Sequence, residues 1–131
     1  MAKKRSELRE IIMVILYQID IYKDQKIDFD LEDIIRKNVE VDNEFVKDIV
    51  FGVVTYKDEI DTLANSLMKD WSIDRLDKTG TSILRMAIYE IKYTDTPEIV
   101  VINEAIELAK KYSDDSVKNI INAVLDRMIK E

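Results

Sequence analysis

An all-α fold is predicted by three observations on the sequence. Apolar residues recur at intervals of three and four along most of the chain, the period of a helix with one face in a core. Turn-formers are scarce: two glycines and one proline in 131 residues, too few for the many tight turns of a β-sandwich or barrel. One stretch, Ile83–Ile91 (ILRMAIYEI), is apolar nearly all round. Ile83, Leu84, Ala87, Ile88 and Ile91 cover one broad side of it, Met86 and Tyr89 fall elsewhere, and only Arg85 and Glu90 interrupt the surface. Such a helix belongs in the middle of a bundle, touched from several directions.

Taken in order, a first helix is predicted over 6–22, with Leu8, Ile12, Ile15, Ile19 and Tyr22 as its core-facing stripe. Lys3, Lys4, Arg5 and Arg9 stand ahead of and within its first turn, against Glu7 and Glu10. The macrodipole disfavours cations at a helix start, so they are either a solvated helix start or there for a reason other than stability. After a polar connector over 24–30, Asp30 is placed to cap a short helix through about Val39, with Asp33 at its third position. Asp42 is expected to cap a longer helix in which Ile49, Val53, Tyr56, Ile60, Leu63 and Leu67 make one stripe over five turns. Gly52 inside it costs roughly 1 kcal/mol relative to alanine, and a close helix–helix approach is the expected compensation.

Trp71 and Ser72 mark a break, with Ser72 expected to cap a helix running from about Ile73 through Gly80 to Ile91, and Gly80 expected to kink or loosen its early turns. Thr94–Pro97 ends that helix, with Thr96 as cap and Pro97 as first residue of the next. There Ile102, Ala105, Ile106 and Ala109 are expected to face inward. Asn103, Glu104, Glu107 and Lys111 face out, Glu107 and Lys111 at ion-pair spacing. Beyond a break over 113–116, a last helix buries Val117, Ile120, Ile121, Val124 and Met128. Lys118, Asn122 and Asp126 make a separate polar stripe on it, with Asn119 beside them.

With 47% apolar and 36% charged residues the chain reads as one soluble globular domain with a real core. The basic start before IIMVILY mimics a signal peptide. Glu7 and Glu10 in the would-be basic region, a short apolar run and no small-residue cleavage site argue against one, so the chain is expected to be unprocessed. No run approaches the roughly 20 apolar residues of a membrane span. The absence of cysteine suits a reducing cytoplasm, where the protein is placed. A net charge of −7 opposes generic nucleic-acid binding, so any such site must be a local basic patch on an acidic body.

Much enzyme chemistry has no residues to run on. Without histidine there is no imidazole base or HExxH zinc site, and without cysteine no thiolate nucleophile. Two isolated glycines make no phosphate-cradling loop. Asp114–Asp115 could bind a hard cation, but aspartates at a helix start are far more often caps. No enzymatic activity, cofactor or metal is expected.

These same residues carry a family resemblance over essentially the whole chain. In order stand Arg5, Arg9 and Glu10 before Leu16–Gln18 (LYQ), Phe51–Val53 (FGV), Trp71, and Ile83–Glu90 (ILRMAIYE). Pro97–Lys110 (with INEAIELAK), Tyr112–Ser113 and Asn122–Asp126 (NAVLD) follow. The pattern strongly resembles the NusB family of bacterial transcription antitermination factors. It departs at Ala123, where glycine is usual, and in an N-terminus less rich in arginine than in some members.

The resemblance implies about seven helices in two packed helical-bundle subdomains, about 1–70 and about 71–131. It implies no catalysis, but binding of single-stranded boxA RNA of ribosomal RNA leader transcripts together with NusE, also a small-subunit ribosomal protein. That complex joins RNA polymerase and suppresses termination. By position, Lys3, Lys4, Arg5 and Arg9 would belong to the RNA surface, with Asp126 near it and Lys118 and Asn122 on the same stripe. Tyr17 and Glu90 would face NusE. Two alternatives stay open at those positions: Tyr17 could be buried beside the core stripe, and Glu90 could pair with a lysine or arginine of this chain, since an unpaired buried carboxylate is costly. The same module opens RNA cytosine methyltransferases, a reading set aside because the chain reaches only Glu131. A helical protein–protein adaptor without RNA binding is the remaining alternative.

Overall fold

A computed structural model describes residues 3–130, which form seven α-helices and no strand. They are α1 (Arg5–Asp24), α2 (Leu31–Asn38), α3 (Glu44–Thr55), α4 (Lys57–Leu67), α5 (Lys78–Tyr93), α6 (Glu98–Tyr112) and α7 (Asp115–Lys130), with a 3-10 turn at Ile73–Arg75. The apolar helix is the hub. Every residue from Gly80 to Glu90 is buried, and α5 packs against α1, α3, α4, α6 and α7.

Local chemistry sets most helix ends. Asp30 Oδ1 accepts the Glu32 amide at 3.0 Å and starts α2, whose last turn carries Arg36 and Lys37 against the negative end of the dipole. Asp114 Oδ1 accepts the Val117 amide at 2.8 Å and starts α7, so this acidic pair includes a cap, as the sequence suggested. α1 ends where Lys26 takes a left-handed φ of 56° and the Ile27 amide reaches back to the Tyr22 carbonyl at 2.9 Å. Its stripe is as expected: Leu8, Ile12, Ile15 and Ile19 are buried, and half-buried Tyr22 stacks on Phe29.

Four expectations are corrected. The five-turn helix is two helices, because the chain bends at Tyr56; α3 thereby lies on α1 and α5 while α4 reaches α7. The cap of α3 is Asn43, which accepts the Val46 amide at 3.1 Å, whereas Asp42 turns to Lys47 at 2.6 Å. Ser72 caps nothing: Ile73–Arg75 forms its 3-10 turn, and α5 starts after Asp77, whose Oδ1 accepts the Gly80 amide at 2.7 Å. α6 begins one residue later than expected, with Pro97 in the cap position and no side-chain cap. In addition, Lys111 does not pair with Glu107; it crosses to Glu10 at 2.6 Å, and Glu107 meets Lys110 at 3.4 Å. In α7, Ile120 and Met128 are half-buried, and Leu125 takes a fully buried place that the stripe had missed.

Both glycines are contact points. A Cβ on Gly52 would lie 2.1 Å from Cε1 and Cζ of Tyr89, so α3 approaches α5 only because this side chain is missing. At Gly80 a Cβ would lie 2.6 Å from both Val117 Cγ1 and Asp77 Oδ1. Gly80 therefore seats α7 on the start of α5 and leaves room for the cap, rather than kinking the helix.

The central arginine is paid for by two carboxylates. Arg85 donates Nε–H and Nη2–H to Asp61 at 2.8 and 3.0 Å, and Nη1–H to Asp20 at 2.9 Å. Burial alone would lower its pKa, but these bonds and the attached charges outweigh that and hold it above the ordinary arginine value.

Candidate nucleic-acid and partner interface

Lys3, Lys4 and Arg5 are exposed at the start of α1. The Arg5 guanidinium lies 4.3 Å from the Phe45 ring centroid, which fixes it against the start of α3. Lys3 approaches Glu7 at 4.0 Å, and Ser6 Oγ donates to Glu104 Oε1 at 2.8 Å, tying this end of α1 to α6.

Arg9 does not share that exposure. It is 3% exposed and donates Nε–H and an Nη2–H to the two oxygens of Glu90, which is 1% exposed, at 2.7 and 2.8 Å. The hydrogen bonds to Glu90 raise the Arg9 pKa above its ordinary value. The sequence assigned Arg9 to the RNA surface and Glu90 to the partner; the structure brings the two together instead, in the internal pair left open for Glu90. In a fork-to-fork pair of this kind the two charges offset each other, and with both side chains buried neither presents charge at the surface. It locks the start of α1 onto the end of α5.

Tyr17 is 40% exposed, which removes the alternative that it is buried. It shares the outer side of α1 with Val14, three residues before it and equally exposed. One turn earlier, Glu10 accepts from Lys111 Nζ at 2.6 Å and from the Tyr112 hydroxyl at 3.0 Å. Those bonds hold the Glu10 pKa below its ordinary value, against the opposing effect of burial. Val14 adds an apolar residue beside Tyr17 that was not read from the sequence, and the same helix leads on to the polar contact of Glu10 with Lys111 and Tyr112. Val14 carried a signal: it is an apolar residue off the Leu8–Ile12–Ile15–Ile19 stripe, on the side of the helix left to solvent. Tyr112 carried none, because only the packing of α6 brings it there.

The α7 stripe lies apart. Lys118 meets Asp115 at 3.8 Å, Asn122 is exposed, and Asp126 pairs with Lys130 at 2.9 Å. α7 begins beside Gly80 at the start of α5, whereas α1 begins beside Glu90 near its end. Among the described residues no hydrogen bond or ion pair joins the stripe to Lys3, Lys4, Arg5 or Arg9. Among them, too, no three metal-ligating side chains converge, and no helix is long and apolar enough to cross a membrane.

An all-α binding module is what this arrangement defines, with an exposed basic start, a rigid ion-paired hub beneath it and an apolar, aromatic face alongside. The chain belongs to the NusB family, whose model matches residues 6–130. It is 40% identical over 128 residues to the transcription antitermination protein NusB of Macrococcus caseolyticus, covering 96% of each chain. To the same protein of Pediococcus pentosaceus it is 37% identical over 134 residues, covering 99% of this chain and 100% of that one. Among solved structures it resembles Thermotoga maritima NusB with a TM-score of 0.85 and 31% identity, over 100% of this chain and 94% of that one. It also resembles a chain from a complex of the antitermination factors NusB and NusE with double-stranded RNA, with a TM-score of 0.81 and 25% identity, over 99% and 98% of the two chains.

Proposed function

We propose that the protein is a cytoplasmic, non-enzymatic transcription antitermination factor that binds boxA-type single-stranded RNA of ribosomal RNA leader transcripts together with NusE, and with it joins RNA polymerase to suppress termination. The observation that carries this reading is the match, along almost the full chain, to a protein solved in complex with both NusE and double-stranded RNA. The chain's own chemistry supports it: three exposed cations are gathered at one helix start on a body of net charge −7. Phosphates are attracted there and repelled elsewhere.

In this reading Lys3, Lys4 and Arg5 contact phosphates. Lys118, Asn122 and Asp126 make a second polar surface for the strand, and Tyr17 with Val14 docks NusE. Arg9 and Glu90 are positioning residues: they set the angle between α1 and α5, and so the placement of both the basic start and Tyr17. The division into a subdomain of about 1–70 and one of about 71–131 then separates α1, which carries the basic start and Tyr17, from the α7 stripe. The test is a binding titration with boxA-like single-stranded RNA, with and without NusE. Binding that is weak alone and tightened by NusE supports the reading. No binding in either case would favour the protein–protein adaptor.

A further inference from the structure

A run of aromatic rings lies where α3 meets the end of α5. Tyr89 and Tyr93 stand one turn apart on α5 with ring centroids 5.2 Å apart. The bend between α3 and α4 lays Tyr56 on Tyr93, nearly parallel, with centroids 4.5 Å apart. Gly52 leaves room for the inner ring, that of Tyr89, whereas Tyr56 at the outer end is 39% exposed, so the run ends in solvent. At the inner end the Tyr89 hydroxyl donates to Asp48 Oδ1 at 2.8 Å. Asp48 in turn lines a concavity of about 730 Å³ between the start of α3 and the α5–α6 connection, together with Glu44, Phe45, Asp95 and Arg5. Glu44, Asp48 and Asp95 are exposed, and among the described residues none of the three forms an ion pair. The neighbouring cations lie on rings instead: the Arg5 guanidinium 4.3 Å from the Phe45 centroid, and Lys92 Nζ 5.4 Å from that of Tyr93. Rings that already attract cations therefore border carboxylates that have none.

We propose that this face docks an extended, arginine-bearing segment of a partner protein other than NusE, whose guanidinium groups stack on the tyrosine run and bond to Glu44, Asp48 and Asp95. Arginine suits both halves of the face. Its planar cation stacks on an aromatic ring and its fork of donors matches a carboxylate, whereas the ammonium of lysine is a compact point charge. RNA fits poorly, because its phosphates would meet three unpaired carboxylates. A second copy fits poorly too, since a chain of net charge −7 brings its own excess of acids. The proposal is independent of the RNA-binding reading. It uses no residue assigned there except Arg5, which it leaves on the Phe45 ring.

The experiment titrates the full chain with a fluorescein-labelled peptide alternating glycine and arginine, and with a counterpart in which glutamine replaces arginine. The arginine peptide should bind and the glutamine peptide should not. Amide signals of Phe45, Asp48, Tyr93 and Asp95 should shift as the arginine peptide is added to isotope-labelled protein. Tyr56→Ala should weaken binding roughly 2- to 5-fold, the range for one exposed cation–π contact, and Tyr56→Phe, which keeps the ring, should not. Glu44→Lys/Asp95→Lys should weaken it roughly 5-fold or more beyond Asp28→Lys/Glu40→Lys, a control with the same net charge and reversals away from this face. All four positions of the two reversal variants are exposed, so that comparison keeps the test decisive if Tyr56→Ala fails to fold. Equal losses in the two reversal variants would mean general attraction to an acidic body and overturn the proposal, as would amide shifts confined to other faces. Loss of NusE affinity in Glu44→Lys/Asp95→Lys assigns the face to NusE and overturns it too, as does loss of boxA-like RNA affinity in Tyr56→Ala, which assigns it to RNA.

Discussion

Arg9 and Glu90, 81 residues apart in sequence, form a two-pronged ion pair at 2.7 and 2.8 Å with neither side chain more than a few per cent exposed. A pair of this kind need not add net stability, because desolvation offsets most of the attraction. Breaking it is another matter. Glu90→Ala should cost roughly 3–5 kcal/mol by leaving the Arg9 charge buried alone. Arg9→Met/Glu90→Met should recover most of that loss in urea titrations. On sequence grounds alone, a mutation at Glu90 would be expected to show mainly in partner binding; with the pair in view, stability should fall first. Wild-type stability in Glu90→Ala would show that Arg9 finds another partner or water.

Gly52→Ala tests the contact between α3 and α5. Alanine is the better helix former by roughly 1 kcal/mol, so an open site would be stabilised. Here the new methyl would lie 2.1 Å from the Tyr89 ring, which its hydroxyl, bonded to Asp48 at 2.8 Å, and its neighbour Tyr93 hold in place. A net loss of about 1–3 kcal/mol is expected, relieved in part by Tyr89→Ala in the same chain.

Tyr89 should also make stability fall at alkaline pH. Burial, together with the bond to Asp48, raises its pKa from 10.0 to about 12. A raised pKa means that the folded state favours the protonated phenol, so the contribution is complete below the unfolded value near 10 and disappears as pH climbs towards 12. It is worth up to on the order of 2 kcal/mol. The stability difference between wild type and Tyr89→Phe, measured from pH 9 to 12, should shrink across that window. A constant difference would mean that Tyr89 titrates as it does in the unfolded chain.

RNA binding should carry the signature of three exposed cations rather than four, since Arg9 is buried against Glu90. If Lys3, Lys4 and Arg5 each neutralise a phosphate, they contribute about −2 to the slope of log K against log salt. Raising salt from about 50 to 200 mM would then cost roughly 20-fold through these residues. Replacing all three with alanine should flatten the slope by about two units and leave the binding of NusE alone nearly intact. An unaltered slope would place the RNA elsewhere.

Tyr17→Ala separates docking from folding. At 40% exposure its loss should change stability by no more than about 0.5 kcal/mol. If Tyr17 anchors NusE, affinity should drop by roughly 1–3 kcal/mol, as measured by calorimetry. Equal affinity in the variant would remove Tyr17 from the interface.

Local pattern was enough for much of this protein. The period of Leu8, Ile12, Ile15 and Ile19, the cap at Asp30 and the all-round apolar run of α5 depend on neighbours within a turn or two, and each appears in the structure as read. Gly52 was legible too, because a glycine inside a helix needs a reason and close packing is the usual one. What the tertiary structure decided involves choices that local chemistry leaves nearly balanced. Asp42 and Asn43 are both good caps, and the reach of Lys47 to Asp42 accompanies the assignment of the cap to Asn43. The stripe through Tyr56 is continuous in sequence, yet α3 and α4 have different helices to cover, so the chain bends there. Arg9 and Glu90 each look like surface candidates until α1 lies against α5. Arg127 donates to the Leu67 carbonyl at 2.7 Å only because α7 returns to the end of α4. Periodicity tells which face of a helix is buried, but not which charged group on another helix will meet it there, and that pairing settles whether a charge serves the core or the surface.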